Sequence, residues 1–371
     1  MNSSTQSAVS VGDVAASLEK LAPLAWQEPY DNCGLLAGEA STQLTGILVS
    51  LDVTEAVVEE AIEKGCNLIV SHHPLIFSGL KSITGKNWVE RTLLKALRNN
   101  ICLYAIHTNL DNLSAGVNQI FADKIGLEKT SILAPKKGTL KKLVTFVPNT
   151  ALEEVRAALF SAGAGQIGLY DQASFNTLGT GTFRPLAGSN PHIGEKNQFT
   201  QVAETRIELL FESHLQSALL KALFASHPYE EVAYDLYALE NKQQDLGSGR
   251  IGLLPHPMES NAFLQLLKAT FGGGLRYTPL VKKKVQKIAV CGGSGSFLLE
   301  AAVAAGADVL VTADFKYHQF LEADNRLLIA DIGHFESEQF TITLLTNYLR
   351  ENFTNFATLS IETKTNPVNY L

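Results

Sequence analysis

Apolar positions recur every three to four residues from Val11 to Trp26 (VGDVAASLEKLAPLAW), a spacing that predicts an opening helix. The pattern then changes to short runs that are apolar at consecutive positions, each followed by a helical stretch. TGILVSLDV (45–53) reads as a strand and TEAVVEEAIEKG (54–65) as a helix stopped by Gly65. NLIVSHHP predicts a second strand, NWVERTLLKALRNN (87–100) a second helix, and ICLYAIHTNLD (101–111) a third strand. The same rhythm returns near the C-terminus. VQKIAVCGG (285–293), ADVLVTADF and LLIADIGH predict strands, while GSFLLEAAVAAG (295–306) and SEQFTITLLTNYLREN (337–352) predict helices. Runs that are apolar at every position, alternating with helices, imply a parallel sheet covered on both faces.

The middle of the chain has another period. KKLVTFVP (141–148), a helix over 151–163, strands at 173–185 and 205–213, a helix near 214–226 and a strand at 232–240 give the order β-α-β-β-α-β. That order defines a ferredoxin-like module. The polar segment LAGSNPHIGEKNQ (186–198) reads as a long loop within it. The expected architecture is therefore a discontinuous, parallel-rich α/β domain (residues 10–127 and 248–371). It hosts an inserted ferredoxin-like α+β domain at 128–247.

Composition narrows the functional classes. Of 371 residues, 46% are hydrophobic and 18% charged, with a net charge of −7, so no basic footprint for nucleic acid exists. The basic runs Lys136–Lys142 and Lys282–Lys287 read as solvated surface. Cys33, Cys66, Cys102 and Cys291 are scattered without CxxC spacing, as expected of thiols in a reducing compartment. The N-terminal MNSSTQSAVS lacks the character of a signal peptide, and no apolar run reaches the ~20 residues that span a bilayer. These features predict a cytoplasmic protein.

Four predicted strand ends carry polar, metal-capable side chains: Ser71-His72-His73, His107-Thr108-Asn109 with Asp111, Asp314 with Tyr317 and His318, and Asp331-Ile332-Gly333-His334 with Glu336 and Glu338. Ligands bind outside the carboxyl ends of parallel strands, so these residues can meet in one crevice. His334 and Glu338, four apart, share one face if a helix begins at His334. Imidazole with carboxylate suits Zn²⁺, Fe²⁺ or Mn²⁺. Adjacent histidines diverge, so His72 and His73 could each serve one ion of a pair, with Asp111 as a possible bridge. A lone strand-end histidine is more often hydrogen-bonded than ligating, which is the plainer reading of His107 and His318. Either could instead be a proton shuttle, with Glu336 a weaker candidate. The turn Gly292-Gly293-Ser294-Gly295 could receive a phosphate on its amides, or could simply need glycine to turn. His192, His214 and His256 read as solvated; His227 reads as structural, with a secondary site as the alternative.

The stretches SHHPLIF, HTNLDNLSAGVN (107–118), AVCGGSGSFLLEAAVAAGADVLVTADFKYH (289–318), DIGHFESE (331–338) and WQEPYDNCGLLAG (26–38) resemble the Ngg1-interacting factor 3-like family. Bacterial members of that family are often labelled GTP cyclohydrolase I type 2. The resemblance covers both outer segments, and the middle is similar to the PII/CutA-like insert of longer bacterial members. It implies a dinuclear site at His72, His73, Asp111, His334 and Glu338 and a homohexamer built as a trimer of dimers. It also implies a metal-dependent hydrolase acting on a nucleotide or related heterocycle. A non-catalytic metal-binding, trafficking or regulatory protein is the alternative. One departure is Ala313, where many relatives have glycine.

Overall fold

The computed structural model describes residues 9–243 and 245–371; the polar start Met1–Ala8 lies outside the described residues. In chain order the strands are β1 Gly34–Ala37, β2 Gly46–Ser50, β3 Leu68–Ser71, β4 Cys102–Ala105 and β5 Glu128–Pro135. Next come β6 Leu140–Pro148, β7 Phe175–Phe183, β8 Thr200–Glu212 and β9 Tyr234–Ala238. The last six are β10 Gly247–Glu259, β11 Arg276–Tyr277, β12 Lys284–Ser294, β13 Val309–Ala313, β14 Leu328–Asp331 and β15 Ala357–Ser360. Two compact units result: residues 9–135 together with 245–371, and Lys136–Gln243.

The first unit holds two mixed sheets rather than the single parallel sheet expected. One has the order β1-β4-β3-β2-β15 and the other β11-β14-β13-β12-β10-β5. In each the middle is parallel: β15-β2-β3-β4 in one and β12-β13-β14 in the other, with antiparallel strands added at the flanks. Alternation of strand and helix does predict parallel pairs, but it carries no information on how many sheets those pairs form. β5, which the sequence reading assigned to the insert, pairs with β10 inside this unit.

Burial follows the expected two-faced pattern. Ile47, Val49, Leu68 and Val70 pack against Val14 and Leu18 of helix Val11–Leu21 and Leu345 and Leu349 of helix Thr341–Asn352. Leu48, Ile69 and Leu103 pack on the other face against Val57, Val58, Leu93 and Ala96. The second sheet divides likewise, with Val309 and Val311 in one cluster and Leu310 and Ile329 in another. Both faces being covered, the open positions of the parallel strands are their carboxyl ends. All four cysteines are free.

The second unit is one antiparallel sheet of order β7-β8-β6-β9, with helices Leu152–Ser161 and Gln216–Ser226 between its strands. Within it His227 is buried. Its ring contacts the Phe146 carbonyl through Nε2 at 3.0 Å and accepts the Tyr229 amide on Nδ1 at 3.1 Å, a structural arrangement. Among the described residues, no helix is long and apolar enough to cross a membrane.

Candidate metal centre

β3 ends at Ser71, and the next two amides still pair sideways, His72 to the Ser50 carbonyl (3.1 Å) and His73 to that of Leu51 (2.9 Å). The histidines are thus held as an extended pair whose rings diverge. β4 stops at Ala105, short of the expected strand end at Asp111. Thr108–Asp111 instead forms one helical turn that carries Asp111 back toward the β3 mouth. Beyond β14, Gly333 (φ +96°) starts the short helix His334–Glu338, which sets those two side chains on one face. Each of these segments leaves a parallel strand at its carboxyl end.

The rings are fixed from behind. His72 Nδ1 lies 2.9 Å from the Ile106 carbonyl, His73 Nδ1 2.8 Å from Asp52, His334 Nδ1 2.6 Å from Asp314, and His107 Nδ1 2.8 Å from Asp31. A carbonyl can only accept, so His72 carries its proton on Nδ1 and points a bare Nε2 lone pair inward. Facing inward, Glu338 Oε2 lies 2.9 Å from His73 Nε2 and 3.1 Å from His334 Nε2. His72 Nε2 is 3.5 Å from Asp111 Oδ1 and 3.9 Å from Glu338 Oε1. Among the described residues, three groups have ligand atoms all within 4.8 Å of one another: His73, His334, Glu338; His72, Asp111, Glu338; and His72, His73, His107. Glu338, rather than Asp111, belongs to two of them.

Burial and the close packing of imidazoles and carboxylates shift the titration of the cluster strongly. Burial pushes His72 down to about 3, and burial together with the nearby charge of Glu338 pushes Asp111 up to about 7. Burial would lower His73 and His334 as well, but the carboxylates of Asp52, Asp314 and Glu338 outweigh it and raise them to about 9 and about 11. Glu338, buried but paired with both rings, is held well below the usual carboxylate range. His72 Nε2 and Asp111 Oδ1 are buried with no hydrogen-bond partner. Unsatisfied buried acceptors are costly, and two facing each other at 3.5 Å fit a divalent cation between imidazole and carboxylate. The donor set therefore fits a metal.

Other expected positions behave differently. His318 is exposed on helix Tyr317–Leu321, its ring 5.2 Å from that of Tyr317, and belongs to none of the three groups. Its strand, β13, delivers Asp314 to the site instead, with Asp314 in a left-handed conformation (φ +59°) after the buried Ala313. Glu336 is buried and accepts from Asn366 Nδ2 at 2.9 Å, outside the three groups. His256, read as solvated, lies exposed on β10. Asp31 and Asp52 escaped the sequence reading. Asp52 follows β2 as His73 follows β3, two residues past the strand end, so the strand-end rule reaches it; Asp31 sits in a loop before β1 with no such signal.

The glycine turn does not offer its first two amides to a phosphate. Gly292 N–H already donates to Asn118 Oδ1 (2.9 Å) and Gly293 N–H to Ser337 Oγ (2.8 Å). Its glycines serve close approach instead: a Cβ on Gly293, whose φ is +59°, would lie 2.4 Å from Glu338 Oε1 and 3.2 Å from His334 Cε1. Gly293→Ala is therefore expected to destabilise the protein by about 1–3 kcal/mol, from backbone strain plus the clash, and to weaken metal uptake. Thermal melts and metal titration of the variant check this; an unshifted Tm with full metal content would refute it.

A mixed α/β fold with a partly buried His/carboxylate cluster at converging strand ends defines a protein with groups that could hold a metal ion. The chain belongs to the Duf34/NIF3 (NGG1p interacting factor 3) family, whose pattern matches residues 9–367. A protein named GTP cyclohydrolase 1 type 2 homolog from Halalkalibacterium halodurans is 41% identical over 319 residues, covering 85% of this chain and 86% of the relative. The Bacillus subtilis protein of the same name is 38% identical over 359 residues, covering 95% and 96%. A Bacillus cereus protein related to NIF3 has a similar crystal structure, with a TM-score of 0.83 and 38% identity over 98% of this chain and 99% of that one.

Proposed function

We propose that this protein is a metal-dependent hydrolase acting on a nucleotide or related heterocycle, with two divalent ions per chain drawn from Zn²⁺, Fe²⁺ and Mn²⁺. The observation that carries the reading is Glu338, whose two oxygens face two separate groups, His73 with His334 and His72 with Asp111. The names of the relatives support a hydrolytic ring-opening activity. When bound, such ions supply Lewis acidity and a water acidified to a pKa of ~7.

The chain's own residues do the rest. Asp52 and Asp314 hold the rings of His73 and His334 in place, and the Ile106 carbonyl fixes the tautomer of His72. His107, anchored by Asp31, lines the adjoining cavity of about 410 Å³ and keeps Nε2 for proton transfer there. Metal-loaded protein should turn over a member of a panel of nucleotides, nucleosides and free bases, while a His73→Ala/Glu338→Ala variant should not; equal turnover by both sinks the assignment.

The same proposal makes the unit Lys136–Gln243 a ferredoxin-like insert of PII/CutA type. Supporting this are the β-α-β-β-α-β order and a sheet in which the first strand lies between the third and the fourth. Assembly as a homohexamer in the cytoplasm belongs to the proposal too, on the strength of the family resemblance.

A further inference from the structure

We infer that the cavity beside the metal centre takes a neutral, planar heterocycle with an N–H donor edge, and that it selects against a phosphorylated form of the same ring. This inference rests on the metal-centre reading and names the substrate class of that site.

The cavity of about 410 Å³ opens beside His73, His107 and Glu338. Three aromatic side chains stand at its lining with most or half of their surface exposed: Tyr30 (64%), Phe77 (49%) and Phe297 (64%). Tyr30 and Phe77 lie 6.3 Å apart between ring centres, and Phe77 lies edge-on to His107 at 6.4 Å. Exposed aromatic rings clustered at the mouth of a polar site, rather than scattered, offer stacking faces for a flat ligand. A guest covering them would bury apolar area that the protein alone leaves in water.

Charge decides what the flat ligand carries. Among the described residues lining this cavity there is no lysine or arginine, while Glu28, Asp52, Asp111 and Glu338 all line it. The neighbouring cavity of about 610 Å³, which shares Asp52, His73 and His334, has one lysine or arginine among its described lining residues, Arg276. Arg276 is already paired with Asp331, and Asp314 and Glu336 line the same space. Two divalent ions would bring four positive charges, which the carboxylates of Asp52, Asp111, Asp314 and Glu338 match. No surplus remains to attract a triphosphate, which is ordinarily cradled by Arg, Lys or free amides. The amides of Gly292 and Gly293 are taken, as shown above. Glu28, with Oε1 accepting from Asn112 Nδ2 at 2.8 Å, presents a carboxylate to the cavity, and a carboxylate accepts from ring or exocyclic N–H groups.

The test is direct binding to the full-length, metal-loaded protein by calorimetry, with guanosine and GTP as probes. Guanosine should bind at least ~10-fold more tightly than GTP. Tyr30→Ala and Phe297→Ala should each weaken guanosine by roughly 5- to 150-fold, the loss of one stacking face. Both rings are exposed, so metal content and Tm should stay at wild-type values. GTP binding as tightly as guanosine, no binding of guanosine, or unaltered affinity in both variants overturns the inference. Elemental analysis keeps the two readings apart: a wild-type chain that takes up no metal defeats the metal centre, whereas a chain with full metal content and no guanosine preference defeats the substrate class alone.

Discussion

Glu338→Ala is expected to lower divalent-metal affinity at both positions by at least roughly 100-fold. Altering groups that merely orient metal ligands costs 10- to 100-fold, and Glu338 faces the cation space itself. Its Oε2 lies 2.9 Å from His73 Nε2 and 3.1 Å from His334 Nε2, and its Oε1 faces His72, so no other residue belongs to both carboxylate-containing groups. The side chain is buried beside two rings that it holds protonated in the metal-free protein, and removing one partner of such a pair costs about 3–5 kcal/mol. Glu338→Gln separates the two effects, because it keeps the packing and removes the charge. Elemental analysis after metal loading, with calorimetric titration, reads the outcome. Retention of two ions per chain by Glu338→Ala would remove Glu338 from the centre.

The second large effect is the dependence of stability on metal and pH. His73 and His334 have folded-state pKa values of about 9 and about 11, above the ordinary 6.5. Their contribution is fully present below pH 6.5 and is lost as pH rises through those values. Asp111, raised to about 7 from an ordinary 3.8, prefers to stay protonated in the fold, so its contribution also disappears as pH rises through 7. His72, lowered to about 3, acts in the opposite sense, but only between pH 6.5 and 3. The metal-free protein should therefore lose stability steadily from pH 7 to pH 10. Metal needs neutral imidazoles and an ionised Asp111, so its binding releases protons and strengthens over the same interval. At a metal concentration 100 times Kd the gain is about 2.7 kcal/mol, or about 5 °C in Tm. The Tm gap between loaded and metal-free protein should thus widen from pH 6 to pH 9; a constant or shrinking gap would show that these protons are not linked to metal.

Both effects depend on residues that were legible in different degrees. The ligand-capable side chains were visible because each follows a short apolar run at the carboxyl end of a parallel strand, the position where burial of both faces leaves only the end open. The i, i+4 spacing of His334 and Glu338 was equally visible, and helix His334–Glu338 realises it. Asp31 and Asp52 were not visible as ring anchors, because nothing local to a carboxylate shows which imidazole nitrogen, 76 or 21 residues away, it will meet. His318 followed its strand end as regularly as the others did, yet the turn at Asp314 directs it to the surface. The glycine turn had the composition of an anion site, but its first two amides are taken by Asn118 and Ser337, which are distant in sequence.

The sequence by itself determined the strand-and-helix rhythm, the two-faced burial of the central strands and the identity of the side chains at their ends, because these follow from local periodicity and side-chain chemistry. Only the tertiary structure decided that the parallel strands form two sheets, that β15 returns to pair beside β2 in the first of them, and that Glu338 rather than Asp111 faces two metal-capable groups. Sheet membership and the aim of a carboxylate are set by long-range packing and by hydrogen-bond partners hundreds of residues apart, and no local pattern encodes either.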